Sequence, residues 1–100
     1  MKLAEYEIGS QLVQCGCCDY YSLVERGKCL ICPVCYWEDD YDCTNENGLV
    51  LDIKSDLNND FTLVEARENF KRYGAWLEKF SGIVLSEEER KNLKYEQRNV

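Results

Sequence analysis

Two pairs of cysteines, each with two residues between its members, constrain this chain more than any other feature. The pairs are Cys15/Cys18 and Cys32/Cys35, and thirteen residues separate them. A two-residue spacing lets one tight turn present both sulfurs to the same ion, and Zn²⁺ accepts four thiolates in a tetrahedral site. Two such pairs are a strong indication of a metal centre. We therefore predict that these four cysteines bind one structural zinc ion, with iron as the alternative metal.

The length of the chain makes such a metal important for folding. One hundred residues correspond to a single domain, 1–100, in which we distinguish a metal-bound part (14–60) and a helical part (61–100). A core built from so few residues is small, and metals often supplement it. Structural zinc contributes roughly 10–16 kcal/mol in finger peptides, which is comparable to the stability of a whole domain. We expect the metal to decide whether the N-terminal half folds.

The cysteine count indicates the cellular compartment of the protein, and the absence of histidine limits the reactions that it can catalyse. Seven cysteines is an odd number, and residues 1–14 lack the basic start, apolar run and cleavage site of a secretory leader. A cytoplasmic protein with reduced thiols is therefore expected, rather than a secreted disulfide framework or a membrane protein. Without histidine, Ser–His and Cys–His nucleophiles are excluded, and a closed four-thiolate site leaves no position for substrate. We expect no enzymatic activity.

Short strands are predicted around the cysteine pairs. Leu12 and Val13 predict a strand that leads into Cys15, and residues 20–24 and 28–31 predict the two strands of a hairpin that turns at 25–27. Downstream, the sequence predicts a turn at 43–48, an edge strand at 49–53 and a loop at 55–60.

The C-terminal third predicts helices. Thr62 and Glu65 form a capping box at the start of an amphipathic helix. Its apolar stripe consists of Leu63, Ala66, Phe70, Tyr73, Leu77 and Phe80. Gly74 is expected to end or kink this helix. Ser86 and Glu89 form a second capping box, which predicts a short polar helix to about Gln97 with a frayed end. The predicted fold is small α+β, with a zinc-ribbon-like β-hairpin and Cys₄ site packed against one or two helices.

Charge indicates the kind of partner. The net charge is −7, and residues 36–60 contain eight acidic residues and one lysine, whereas the rest of the chain is neutral. Such a segment attracts basic surfaces and repels phosphate backbones. We therefore predict a basic protein partner, as for an immunity or antitoxin protein that neutralises a toxin such as a nuclease. The oligomeric state is left open. The predicted contact residues are Trp37, Glu38, Asp39, Asp40 and Asp42.

Three alternatives stay open from the sequence. In the first, Tyr36 and Trp37 do not contact a partner but cover the metal and the core, while the neighbouring acids face water. A nucleic-acid-associated zinc ribbon needs a basic face, which only Arg67, Lys71, Arg72 and Lys79 on the first helix supply. A thiol or iron redox protein is the third alternative, since Cys17, Cys29 and Cys43 lie outside the predicted metal set. For these three thiols we expect a buried and inert state.

Three motifs in order resemble the bacterial cysteine-rich CPCC domain family. They are Cys-Gly-Cys-Cys at 15–18, Ile-Cys-Pro-Val-Cys-Tyr-Trp-Glu-Asp-Asp at 31–40 and Leu-Val-Glu-Ala-Arg-Glu-Asn-Phe-Lys-Arg-Tyr-Gly-Ala at 63–75. The resemblance implies a small zinc-binding cytosolic protein, in a family without a settled activity. The chain departs from the family at Gly16, where the family has proline, and at Asp19, where it has glycine. Both departures are expected to loosen the first cysteine turn.

Overall fold

A computed structural model of the chain describes residues 11–45 and 48–100. Residues 1–10, on which the expectation of no secretory leader mainly rests, and residues 46–47 of the predicted turn lie outside the described residues. The strands are β1 (Val13–Gln14), β2 (Tyr21–Leu23), β3 (Thr44–Asn45) and β4 (Gly48–Leu49), and the helices are α1 (Leu63–Tyr73) and α2 (Glu87–Arg90). Short 3₁₀ turns occur at Tyr41–Cys43, Asp56–Asn58 and Glu78–Phe80. In this described part of the chain, no helix is both long and apolar enough to cross a bilayer.

The first cysteine turn (residues 15–18) lies between the two strands of an antiparallel hairpin. In this hairpin β1 pairs with β2, with Val13 opposite Leu23 and Gln14 opposite Tyr21. The amide of Cys15 donates to the carbonyl of Tyr20 at 2.9 Å and closes the end of the hairpin. The hairpin of the predicted fold is thus present, but the partner of β2 is β1 and not residues 28–31.

The second cysteine turn (residues 32–35) likewise lies between two paired arms of the chain, residues 29–31 and 37–39. Its two arms are joined by the hydrogen bonds from Asp39 N to Leu30 O and from Cys32 N to Trp37 O, both at 2.9 Å. The predicted strand at 28–31 is therefore wrong as an extended strand, since only Ile31 forms a bridge, and that bridge is to Glu38. Each cysteine turn folds the chain back on itself, so the nearest backbone partner is the other arm of the same turn, at a smaller loop-closure cost.

The predicted edge strand at 49–53 is present only at its first residue. The strands β3 and β4 pair in register, with Thr44 opposite Leu49. Beyond β4 the chain bends, because Leu51 O accepts from Val64 N at 3.3 Å and directs the backbone towards α1. Residues 55–60 form the predicted loop, which includes the second 3₁₀ turn and is closed by the Ser55–Phe61 bridge.

The start and end of α1 follow local signals. The capping box is confirmed, with Glu65 N donating to Thr62 Oγ1 at 3.2 Å and Thr62 N donating to Glu65 Oε1 at 2.9 Å. Gly74 ends the helix rather than kinking it, in a left-handed conformation (φ 75°) that glycine adopts at little cost. The apolar stripe therefore divides: its first four residues lie on α1, whereas Leu77 and Phe80 pack from a separate 3₁₀ segment.

The predicted second helix is shorter than expected. The capping box of Ser86 and Glu89 is confirmed, but α2 ends at Arg90 and does not extend to Gln97. The C-terminal segment (residues 94–98) lies against β2 instead of fraying, since Tyr21 N donates to Lys94 O at 2.9 Å and Tyr95 forms a bridge with Tyr20. The free edge of β2 offers backbone groups that this segment pairs with, and that pairing replaces the helical hydrogen bonds.

Two tryptophans join the metal-bound part to the helical part. The ring of Trp76 meets the rings of Trp37 and Phe61 edge-on, at centroid distances of 5.3 and 5.2 Å. The amide of Trp76 also donates to Cys35 O at 2.9 Å. Both tryptophans are buried in one core cluster with the cysteines. The core therefore begins at the four sulfurs and extends through these rings to the segment after α1.

Candidate metal centre

Four sulfurs converge between the two cysteine turns. The Sγ atoms of Cys15, Cys18, Cys32 and Cys35 all lie within 4.8 Å of one another. The distance from Cys15 to Cys35 is 3.6 Å and that from Cys18 to Cys32 is 3.7 Å. A tetrahedral zinc site with Zn–S bonds of about 2.3 Å has edges of about 3.8 Å, whereas a disulfide needs about 2.05 Å. The predicted convergence is confirmed, and its dimensions fit a four-coordinate metal ion.

Backbone amides point at these sulfurs, as the two-residue spacing requires. Cys17 N donates to Cys15 Sγ at 3.4 Å, Val34 N to Cys32 Sγ at 3.3 Å and Trp37 N to Cys35 Sγ at 3.5 Å. Such hydrogen bonds stabilise thiolate rather than thiol. The tight turns therefore position the sulfurs and, for Cys15, Cys32 and Cys35, supply part of the charge compensation.

Ser22 adds a side-chain hydrogen bond that the sequence did not indicate. Its hydroxyl lies 3.0 Å from Cys32 Sγ, and both residues are completely buried. The hydroxyl is a donor to the sulfur when Cys32 is a thiolate, because a thiolate only accepts. Outer contacts of this kind orient metal ligands and tune their affinity.

Burial makes a cation necessary if all four groups are to ionise. Burial raises the pKa of Cys18 and of Cys35, and hydrogen bonds with Cys15 and Cys32 raise both further. Burial also acts to raise the pKa of Cys32, but hydrogen bonds from the other thiols and from Ser22 outweigh it and hold that pKa well below 9.0. The cluster thus ionises unevenly by itself. A divalent metal ion would compensate the remaining charge, as at other thiolate sites.

The three spare thiols differ in their surroundings. Cys17 and Cys43 are buried, as expected. Burial is the main cause that raises the pKa of Cys43, to about 11. Cys29 is exposed, so the expectation that it is buried is wrong. Its backbone is left-handed (φ 60°), and it is not one of the four cysteines whose sulfurs converge.

The predicted contact residues are divided between the core and the surface. Trp37 is 1% exposed and Asp39 is 2% exposed, and Asp40 is also buried. Glu38 is half-buried and Asp42 is exposed. Trp37 thus packs in the core with the four cysteines, as the alternative assignment from the sequence has it.

The two buried carboxylates have internal partners. Asp39 accepts from the amide of Gly27, and Asp40 accepts from Asp42 N at 3.0 Å and from Ser55 Oγ at 2.7 Å. These hydrogen bonds hold the loops around the second cysteine turn in place. The acids therefore do not all face water, and only those that are exposed, such as Asp42, are available for contact with a partner.

The sequence did not indicate a cluster of ion pairs next to the first cysteine turn, in which a buried carboxylate meets two partly buried arginines. The carboxylate of Asp19 accepts from Arg67 at 2.7 and 2.8 Å and from Arg98 Nε at 2.9 Å. Burial alone would raise the pKa of Asp19, but the bonds from Arg67 and Arg98 outweigh it and lower that pKa below 3.8. No local pattern indicates this cluster, because its three members come from distant parts of the chain.

This cluster changes two expectations from the sequence, namely that Asp19 loosens the first cysteine turn and that Arg67 belongs to a basic face. Asp19 has φ 69°, a conformation that glycine adopts freely, and its side chain bonds to two arginines. Where the family has glycine, this chain therefore gives up backbone freedom, and Asp19 instead joins the first cysteine turn to Arg67 and Arg98. The predicted basic face also loses a member, because Arg67 is turned into this cluster and donates to Gly16 O at 2.8 Å.

Comparison with known proteins supports one family. The model of the family described as Cysteine-rich CPCC matches residues 13–91, which include both cysteine turns and both helices. The match therefore extends further than the three motifs that suggested it. Neither the curated proteins nor the solved structures contain a significant match to the chain.

Proposed function

The chain belongs to the Cysteine-rich CPCC family, and from this premise we propose that it is a small acidic zinc protein that acts by binding another protein rather than by catalysis. The observation that carries the proposal is the group of four buried sulfurs within 4.8 Å of one another. With four protein ligands, a metal ion there has no open position for a substrate. Its role is to hold the two cysteine turns together, and cytoplasmic reducing conditions keep the thiols available.

The exposed residues of the acidic segment support a protein partner. Within residues 36–60, Asp42, Asp52 and Asp56 are exposed, and each lies next to an exposed apolar or aromatic side chain in the sequence. Tyr41 is 66% exposed, and the one lysine of the segment, Lys54, is exposed as well. The bond between Asp40 and Ser55 brings the two stretches of this surface together. We name it the acidic surface, and it consists of Tyr41, Asp42, Asp52, Ile53, Asp56 and Leu57.

The composition of the acidic surface suggests a basic partner. Tyrosine is a common anchor of protein interfaces, and the flanking carboxylates would speed association with a positively charged protein. The sharper form of the proposal is an immunity or antitoxin role, in which this surface covers a basic toxin such as a nuclease. The carboxylates would then occupy the place of the phosphates that the toxin binds.

Metal analysis tests the first half of the proposal. We expect one zinc per chain in protein purified without added metal, and no visible absorption of the kind that iron–thiolate centres give. Cys35→Ser should lose the metal and unfold, whereas Cys29→Ser, the same change at an exposed thiol outside the cluster, should retain both metal and fold. Stoichiometric iron, or unchanged metal content in Cys35→Ser, would contradict the proposal.

Affinity capture tests the second half. The tagged chain should retain a basic protein from the native cell at low salt and release it at high salt. The double variant Asp42→Lys/Asp56→Lys should lose this protein. Glu78→Lys, one exposed charge reversal outside the acidic segment, should retain it. Equal capture by all three proteins would show that the acidic surface is not the contact.

A further inference from the structure

A cavity of about 440 Å³ lies on the side of the molecule where the first cysteine turn, α1 and the C-terminal segment meet. Its charged side chains are four cations and one acid, namely Arg67, Lys71, Arg90, Arg98 and Asp19. In a chain of net charge −7 such a concentration of cations is unexpected. A concave site lined by one sign of charge focuses the field on ions of the other sign.

The cations of this cavity differ in how far their charge is already compensated. Arg67 and Arg98 are bound to Asp19, and they also donate to backbone carbonyls of Gly16 and Cys15. Arg67 and Arg98 therefore form part of the cavity wall. Lys71 pairs with the exposed Glu68 at 3.7 Å, which is a weak surface pair. The charge left for a ligand is therefore that of Lys71 and Arg90.

Arg90 is the cation best prepared for an anion. Its side chain is 14% exposed, and its guanidinium lies 5.5 Å from the ring centroid of Tyr20 and 5.3 Å from that of Phe70. Two rings thus hold the group in place. Among the residues that the structure describes, its one ion pair is with Glu87 at 3.7 Å, and that carboxylate is exposed. Among the hydrogen bonds of residues 11–45 and 48–100, the guanidinium donates none at 3.5 Å or less.

From this juxtaposition we propose that the cavity binds the phosphate group of a small molecule, with Arg90 and Lys71 as its direct contacts. Arginine presents a planar set of donors that matches phosphate oxygens, and lysine adds a point charge. The cavity is larger than one phosphate, and Tyr95 lines its wall. It therefore admits either a free phosphate compound or a nucleotide whose base meets an aromatic side chain. This site is separate from the acidic surface, and its test does not depend on a protein partner.

Calorimetric titration of the zinc-loaded protein tests the proposal, with pyrophosphate and AMP as the two probes. Saturable binding is expected for at least one probe, and it should weaken as salt rises. Arg90→Gln should lower the affinity at least about tenfold and Lys71→Gln at least about threefold. Lys79→Gln removes the same charge from an exposed side chain outside the cavity, so it should bind like the wild type. Tighter binding of AMP would identify a nucleotide site, and tighter binding of pyrophosphate a site for free phosphate compounds.

Two results would overturn the proposal. One is the absence of saturable binding of either probe by the wild-type protein up to about 10 mM. The other is an equal loss of affinity in Lys71→Gln and Lys79→Gln, which would show that the overall charge of the protein, and not a lysine in the cavity, attracts the probe. Because Lys71 is exposed, its variant should fold even if Arg90→Gln does not, and the comparison stays decisive.

Discussion

The guanidinium of Arg67 on α1 makes two parallel hydrogen bonds, of 2.7 and 2.8 Å, with the carboxylate of Asp19, which lies 48 residues earlier and directly after the first cysteine turn. The side chains are 12% and 4% exposed. This bidentate pair ties the helical part to the metal-bound part. Arg98 completes the contact from the C-terminal segment, with a hydrogen bond of 2.9 Å to the same carboxylate.

Removal of this carboxylate should destabilise the fold. We expect Asp19→Asn to lower the free energy of unfolding by about 3 kcal/mol, because two partly buried guanidinium groups then lack their counter-ion. Asp19→Gly should lose slightly less, because glycine relieves the left-handed backbone at this position. Urea denaturation of the zinc-loaded proteins measures both. A loss below about 0.5 kcal/mol would mean that the pair contributes no more than an exposed one.

The buried carboxylate of Asp39 should make stability depend on pH. Burial raises the pKa of this group from 3.8 to about 6. The folded state therefore binds a proton that the unfolded state has lost, so this group's contribution to stability decreases as pH rises from about 4 to 6 and is constant above. Asp39→Asn should gain about 1–2 kcal/mol relative to the wild type between pH 4.5 and 7.5. The measurement is the difference between the two proteins at each pH with excess zinc, which cancels proton competition for the metal. A constant difference would refute the prediction.

Thiol modification should distinguish Cys29 from the other cysteines. In zinc-loaded protein one thiol should react quickly with a maleimide at neutral pH, because Cys29 is exposed whereas Cys17 and Cys43 are buried. After chelation in denaturant all seven should react. Peptide mapping locates the label. Rapid labelling of Cys17 or Cys43 in the native protein would contradict the burial on which this prediction rests.

The hydroxyl of Ser22 should strengthen metal binding. Ser22→Ala removes the 3.0 Å contact with Cys32 Sγ, and we expect a loss of about tenfold in zinc affinity because one thiolate loses a charge-assisted hydrogen bond. Competition with a chromophoric chelator measures it. Ser81→Ala, at an exposed serine, should leave the affinity unchanged. If the two variants bind zinc equally well, the hydroxyl does not tune the metal centre.

A methyl group at Gly27 should be costly. This residue has φ 72°, and a Cβ would lie 2.8 Å from Cδ2 of Tyr41. We expect Gly27→Ala to lower stability by about 1–2 kcal/mol, from backbone strain and displacement of the ring. Gly82 has an ordinary φ and open space around it, so Gly82→Ala should change stability by less than about 0.5 kcal/mol. Equal effects in thermal unfolding would contradict the contact.

Sequence reasoning succeeded where a feature depends on neighbours in the chain. The two-residue spacing of the cysteines predicts the convergence of four sulfurs, because such a turn aims both sulfurs to one side. Thr62 with Glu65, and Ser86 with Glu89, predict two helix starts that the structure contains. Within each cysteine pair and each capping box the partners lie three residues apart, so local geometry brings them together. The preference of zinc for four thiolates predicts the further step, that the two pairs meet across the thirteen residues between them.

Apart from the meeting of the two cysteine pairs, the contacts between distant segments were decided by the tertiary structure. It determined that β2 pairs with β1 and with the C-terminal segment, that Asp39 is buried while Asp42 is exposed, and that Arg67 and Arg98 meet at Asp19. Asp39 and Asp42 are the same residue type three positions apart and have opposite surroundings, because burial depends on which other segment packs against each side of the chain. Short-range patterns encode turns, caps and ligand spacing, whereas long-range pairing follows from packing of the whole core around the four sulfurs and two tryptophans.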